Sequence, residues 1–417
     1  MNEDGAILAG IRVLDVASYI AGPVATTIMA DFGAEVIKVE PPGGDPLRKL
    51  HSTPGLPMNL VVDFAWQTDN RNKLGIALDL TTAGGREALR RLVADCDVFV
   101  TNYTRPARAR LGLTYDDLKP LNDRLIYASM TAYGEEGPEA DKSGFDTTAY
   151  WARTGLMHMA RPDPDGPPAR SLPGMGDHPS GVALFGAIML ALLERTRTGR
   201  GRRVHSSLLA NGLWSNAFYA QAALSGAAVE LRPSRENWPN ALTNHYRSRD
   251  GHWFILALVD QERQWHRLLD AIERPELADD PRFADIAARA DHVTELTAIL
   301  DDVFATRDWA VWREVLDAHR LTFGNVAAPA EIHDDAQMVA AGALSPVHDS
   351  RFGADHLIDS PLWVDGGGKN SPRPAPAFGE HTEQVLRSVG YGDDELVQMR
   401  KDGAIPPALP GIADATS

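Results

Sequence analysis

The feature that most constrains this chain is an alternation between short apolar runs and helical patterns in its first third. Residues 11–16 (Ile-Arg-Val-Leu-Asp-Val) read as a strand, residues 23–32 as a helix closed by Gly33, and residues 35–40 as a second strand. Residues 77–80 then read as a strand leading into a helix over 85–94, followed by strands at 97–100 and 125–130. Strands separated by helices pair in parallel through right-handed crossovers, so an α/β fold is expected. Ligands of such sheets gather at the carboxyl ends of the strands, which directs attention to loops 17–23, 41–48, 101–110 and 131–145.

At 417 residues the chain is long enough for two or three domains. The Pro/Asp/Gly-rich stretch 161–168 holds neither helix nor central strand and reads as an exposed excursion, whereas residues 179–195 are apolar nearly all round and read as a buried helix. From about Tyr246 the pattern shifts to an apolar run at 253–258 and amphipathic helices at 264–271, 288–304 and 309–316, a smaller α+β domain. Proline-rich extended segments near 371–377 precede a last helix at 382–388.

Charge excludes some functions. With 41 Lys+Arg against 57 Asp+Glu, the net charge of -16 repels a phosphate backbone, so no nucleic acid partner is expected. The single cysteine, Cys96, cannot form an internal disulfide and sits beside the apolar run 98–100, where a packed thiol is expected. Scattered histidines offer no metal motif. The acidic start Met1-Asn2-Glu3-Asp4 is followed by no signal-type stretch, and the run 182–193 is shorter than a membrane span, so a cytoplasmic enzyme or binding protein is expected.

The most informative motif is Gly174-Met175-Gly176-Asp177-His178-Pro179-Ser180-Gly181, directly before the apolar helix. Asp177 has two readings: a structural N-cap, or a carboxylate nucleophile set among glycines and facing the free N–H groups of a helix N-terminus. With an ordinary carboxylate pKa it is ionised at neutral pH and needs no base to activate it. Asp177, His178 and Ser180 lie too close along one chain for a hydrogen-bonded triad. Neither a dinucleotide-binding nor a P-loop glycine pattern is present, while the basic clusters Arg71-Asn72-Lys73 and Arg105 to Arg110 are solvated surface charge or a phosphate cradle.

Read together, the segments Leu8-Ala9-Gly10-Ile11-Arg12-Val13-Leu14-Asp15, Phe32-Gly33-Ala34-Glu35-Val36-Ile37-Lys38-Val39-Glu40, Gly174-Met175-Gly176-Asp177 and Gly379-Glu380-His381-Thr382 resemble the class III (CaiB/BaiF-type) CoA transferases, with further matches between them. The resemblance implies transfer of CoA from an acyl-CoA donor to a carboxylic acid through an aspartyl anhydride and an aspartyl-CoA thioester formed on Asp177, with Asp146 and Gly176 supporting. It implies a Rossmann-like large domain built from residues 1–225 and 328–417, a small α+β domain over 226–327, and an interlocked homodimer. CoA and acyl-CoA enter as substrates, with no permanently bound cofactor, no metal and no membrane partner. The CoA-contacting positions fall on Tyr19, Ile20, Ala21, Leu78, Thr81, Asn102, Tyr103 and Arg110. Pro41 and Thr81 stand where members acting on formyl and oxalyl groups have arginine and lysine, so phosphate binding is expected to lean on Arg48, Arg71, Lys73, Arg105 and Arg108. Ile20 replaces a glutamine, which together with Tyr150, Trp151, Met157, His158 and Met159 favours a bulky or aromatic acid. Two alternatives stay open: an α-methylacyl-CoA racemase, disfavoured because Phe145 stands where that pattern carries a proton-transferring histidine, and a CoA-binding protein in which Asp177 only caps its helix.

Overall fold

The computed structural model describes residues 6–53, 55–57 and 62–409; the acidic residues 1–4 lie outside this range. The chain divides into two compact units, the first holding residues 1–156, 170–226 and 336–417 and the second residues 157–169 and 227–335.

The first unit is built on six parallel strands: β1 (Arg12–Val16), β2 (Glu35–Glu40), β3 (Leu74–Ala77), β4 (Val98–Thr101), β5 (Ile126–Thr131) and β6 (Arg203–Ser207). Their spatial order is β3-β2-β1-β4-β5-β6, the order of doubly wound dinucleotide folds, with a topological switch between β1 and β4. Buried on both faces, the inner strands read as near-continuous apolar runs: Val13, Leu14 and Val16 of β1 and Val98, Phe99 and Val100 of β4 are all buried. The connecting helices are α1 (Ala21–Asp31), α2 (Phe64–Asn70), α3 (Ala83–Ala94), α4 (Arg105–Leu111) and α5 (Tyr115–Leu118); α6 (Leu156–Met159) carries the chain into the second unit, and α7 (Asp177–Thr198) belongs to the first, with α8 (Leu208–Ser215) and α9 (Ala217–Leu224) beyond β6.

Three expectations are corrected. The third strand lies at Leu74–Ala77 rather than 77–80, so Leu78 to Leu80 are not strand but loop at the carboxyl end of the sheet. The polar alternation of Arg203, Val204 and His205 hid an edge strand that pairs with β5. Helix α7 is not buried all round: Ser180, Gly181, Leu184, Ile188 and Ala191 face protein, but Leu190 and Leu193 are 71% and 60% exposed.

The C-terminal segment is tied to the strand edge of β3. Ala77 N–H donates to Thr382 Oγ1 (3.0 Å), His381 N–H to Gly75 O (2.8 Å) and Asp79 N–H to Ala404 O (2.9 Å), while Val385, Leu386 and Met399 join the core cluster around Ile76 and Leu89. The second unit holds an antiparallel sheet of His245–Arg247, Trp253–Leu256 and Phe323–Asn325 packed on helices that include Gln261–Ala271 and Val293–Phe304. Its core is aromatic, with Tyr246, Phe254, Trp265, Phe283, Phe304 and Trp312 buried together.

Candidate active site

Two glycines let the start of α7 pack closely, one against α1 and one against the segment Asp146–Ala152. A Cβ at Gly181 would lie 2.6 Å from Val24 Cγ1 and 2.9 Å from Ala21 O, so only glycine lets the first turn of α7 press on the start of α1. Gly176 is equally constrained, because a Cβ there would meet Tyr150 Cγ at 2.6 Å and Asp146 Cβ at 3.0 Å. Gly176 N–H donates to Asp146 Oδ2 (3.2 Å), which fixes the turn entering α7 on the π-helical segment Asp146–Ala152.

Asp177 is the first residue of α7, and the cap position belongs to Gly176. The carboxylate of Asp177 accepts no hydrogen bond from any described residue, so the reading in which it serves as a helix cap is corrected. Burial, with the neighbouring charge of Asp146, pushes its pKa up to about 7; Asp69 adds to the rise and His178 opposes it. The expectation of an ordinary, fully ionised carboxylate at neutral pH is therefore corrected as well. Asp146, itself buried, is held by the N–H groups of Gly176 and Thr147 (2.6 Å).

The first loop meets the site across the topological switch. Ser18 N–H donates to Asn102 Oδ1 (2.9 Å) and Asn102 Nδ2 donates to Ser18 O (2.6 Å), binding the ends of β1 and β4 to each other. Tyr19 takes the left-handed conformation (φ 61°), its N–H held by Asp45 Oδ1 (3.0 Å) and its ring set edge-to-face on Phe145 at 5.6 Å. Ile20 and Ala21 are buried at the start of α1. Leu78, Thr81 and Tyr103 line one cavity of about 90 Å³ at the carboxyl ends of β2 to β4, together with Glu40, Pro41 and Leu111. Most positions expected to contact CoA are thus gathered along that end of the sheet.

Four of the expected phosphate-binding cations are not available. Arg48 pairs with Glu40 (2.7 Å) and stacks on Trp66; Arg71 pairs with Asp31 (2.6 Å); Lys73 pairs with Asp15 (2.9 Å); Arg108 pairs with Glu135 (2.9 Å). All four are buried, where a cation needs a carboxylate partner, and these partners are supplied from inside the fold. Arg105 and Arg110 remain exposed; Arg105 bonds to Glu135 O (3.1 Å) and pairs loosely with Asp141. Tyr150 and Trp151 are likewise core rather than pocket: the Tyr150 ring fills the space over Gly176 and its hydroxyl meets Ser215 Oγ at 2.6 Å.

Sequence reasoning missed Asp69. This buried residue near the end of α2 meets His178 Nε2 at 3.1 Å, while His178 Nδ1 lies 3.0 Å from Gly174 O. Nothing in the local sequence links positions 109 residues apart. It also missed Lys38 and Asp45, a buried ion pair (2.8 Å) beneath Tyr19.

The fold and site define a doubly wound α/β enzyme in which the partly buried Asp177 carboxylate, with no hydrogen bond from a described residue, stands at a helix N-terminus beside the switch crevice. The chain belongs to CoA-transferase family III, whose family model matches residues 8–382. It is 32% identical over 399 residues to the (R)-2-hydroxy-4-methylpentanoate CoA-transferase of Clostridioides difficile, covering 96% of this chain and 99% of that one. It is 29% identical to the cinnamoyl-CoA:phenyllactate CoA-transferase of Clostridium sporogenes, covering 96% and 98%. Among solved structures, a CaiB/BaiF family protein from Brucella suis superimposes with a TM-score of 0.81 at 28% identity, covering 92% of this chain and 100% of that one.

Proposed function

We propose that this CoA transferase works through covalent catalysis by Asp177. One Asp177 oxygen attacks the thioester carbonyl carbon of the donor; the C–S bond breaks, CoA leaves as thiolate, and a mixed anhydride remains. The thiolate attacks the Asp177 carbonyl carbon and expels the donor acid, giving an aspartyl-CoA thioester. The acceptor carboxylate then displaces CoA from that carbon, and the returning thiolate attacks the acceptor's own acyl carbon, releasing Asp177 unchanged. Each step exchanges one activated acyl bond for another, so no thioester energy is lost to water. The observation that carries this reading is the Asp177 carboxylate, which is largely shielded from water yet hydrogen-bonded to nothing described. Phe145 cannot carry a proton, which argues against racemisation.

Tyr19, Phe145 and Met175 expose apolar surface along the segments that form the site, which suits an acid with an apolar side chain. Relatives acting on 2-hydroxy-4-methylpentanoate and phenyllactate support the same substrate class. A homodimer is part of the proposal: besides α7, Trp214 and Phe218 are each 82% exposed, an apolar surface that a second copy would cover. Quenching the enzyme with hydroxylamine during turnover should leave a hydroxamate on the peptide containing Asp177, read by mass spectrometry. An Asp177→Ala protein with full transferase activity would refute the mechanism. Sedimentation of the purified protein as a monomer at micromolar concentration would refute the dimer.

A further inference from the structure

We infer that His178 is a positioning residue whose ring, held as an imidazolium by Asp69 and the Gly174 carbonyl, is the positive charge that keeps the adjacent Asp177 carboxylate ionisable. The inference rests on Asp177 being the nucleophile. Its basis is the donor count of the ring. Gly174 O can only accept, so Nδ1 must carry a hydrogen (3.0 Å); Nε2 faces a carboxylate oxygen (3.1 Å) and must carry one too. With both nitrogens donating, the ring is positively charged. Gly174 is left-handed (φ 75°), and a Cβ there would meet His178 Nδ1 at 3.0 Å, so the turn leaves room for this bond.

The groups that face Asp177 come from three elements. Asp146 on the π-helical segment and Asp69 on α2 both disfavour its charge, as burial does; His178 on α7 is the group that favours it. Asp69 is buried, and its backbone carbonyl accepts from Lys73 Nζ (2.9 Å), which itself pairs with Asp15. Burial works against a charged His178 ring, but the bond to Asp69 and that residue's charge carry its pKa up to about 9, although the side chain is half exposed. Its charge therefore persists across the range in which Asp177 titrates.

The test follows the rate of covalent adduct formation on Asp177 against pH in the full-length enzyme, using one acyl-CoA donor, for wild type, His178→Gln and His178→Arg. Both variants lose the ring, but the second keeps a positive charge. In His178→Gln the acidic limb should move up by about one pH unit, giving about a fivefold loss at pH 7 that approaches tenfold at lower pH and recovers under alkaline conditions; in His178→Arg the limb should stay in place. Equal losses in both variants at every pH, with no movement of the limb, would overturn the inference while leaving Asp177 as nucleophile. No adduct on wild type at any pH would overturn the nucleophile itself. Should the variants fail to fold, ¹⁵N NMR titration of the wild-type His178 ring decides the same question: a ring still doubly protonated at pH 8 supports the inference, and one already neutral there overturns it.

Discussion

Ser18 and Asn102 exchange hydrogen bonds across the topological switch, backbone N–H to side-chain oxygen at 2.9 Å and side-chain nitrogen to backbone oxygen at 2.6 Å. The pair closes the loop after β1 onto the loop after β4, both of which carry expected CoA contacts. Replacing Asn102 with Ala removes both bonds and frees the Ser18 backbone, while Tyr19 N–H stays on Asp45 and the Asp177 turn stays on Asp146. Asn102→Ala should therefore raise KM for acyl-CoA about tenfold while lowering kcat much less, in steady-state assays with a fixed acceptor.

Gly176 allows no side chain. Gly176→Ala places a methyl 2.6 Å from Tyr150 Cγ, and the ring cannot retreat easily because its hydroxyl is bound to Ser215. The entry to α7 must move instead, and Asp177 with it. A displacement of about 1 Å at a reacting group costs on the order of 10²-fold in rate, so kcat should fall by that factor even where the far-ultraviolet circular dichroism stays native.

Much of this arrangement was legible in the sequence, and the parts that were not share a physical cause. The parallel sheet could be read because strands buried on both faces are continuously apolar; β6, whose Arg203 and His205 are exposed at the edge, could not. Asp177 stood out because glycines on both sides mark close packing, and its raised pKa was hidden because Asp146 and Asp69 reach it only through the tertiary fold. The basic residues misled for a similar reason. Arg48, Arg71, Lys73 and Arg108 have the composition of a phosphate site, and only the positions of Glu40, Asp31, Asp15 and Glu135 show that their charge is already matched.

The pKa of about 7 at Asp177 has consequences for both rate and stability. With Asp177 as the proposed nucleophile, its protonation silences the attack, so kcat/KM should fall about tenfold per pH unit below 7 and level off above it. The folded value lies above the unfolded one of roughly 3.9, so the native state holds the proton more tightly. That contribution to stability is complete below about pH 4 and is lost as pH rises through 7. Asp177→Asn should therefore raise Tm by a few degrees at pH 8 and leave it nearly unchanged at pH 4, measured by scanning calorimetry.

Arg108 and Arg110 lie on the same short helix and should respond oppositely to truncation. Arg108 is buried and donates to Glu135 Oε2 (2.9 Å) and Tyr127 Oη (3.3 Å); Glu135 is also bound by Arg203 (2.7 Å), and these cations hold its carboxyl below the usual range against the cost of burial. Removing one partner of a buried ion pair costs about 3–5 kcal/mol, softened here by Arg203, so Arg108→Ala should lower Tm markedly and leave KM of the surviving folded enzyme close to wild type. Arg110 is exposed and directly precedes Leu111, which lines the cavity, and it has no bonded partner among the described residues. Arg110→Ala should leave Tm unchanged and raise KM for acyl-CoA several-fold. The effect should shrink as ionic strength rises, because a charge facing a phosphate in water is screened by salt. A KM defect for Arg108→Ala with native stability would return that residue to the phosphate site and sever the link between burial and internal pairing.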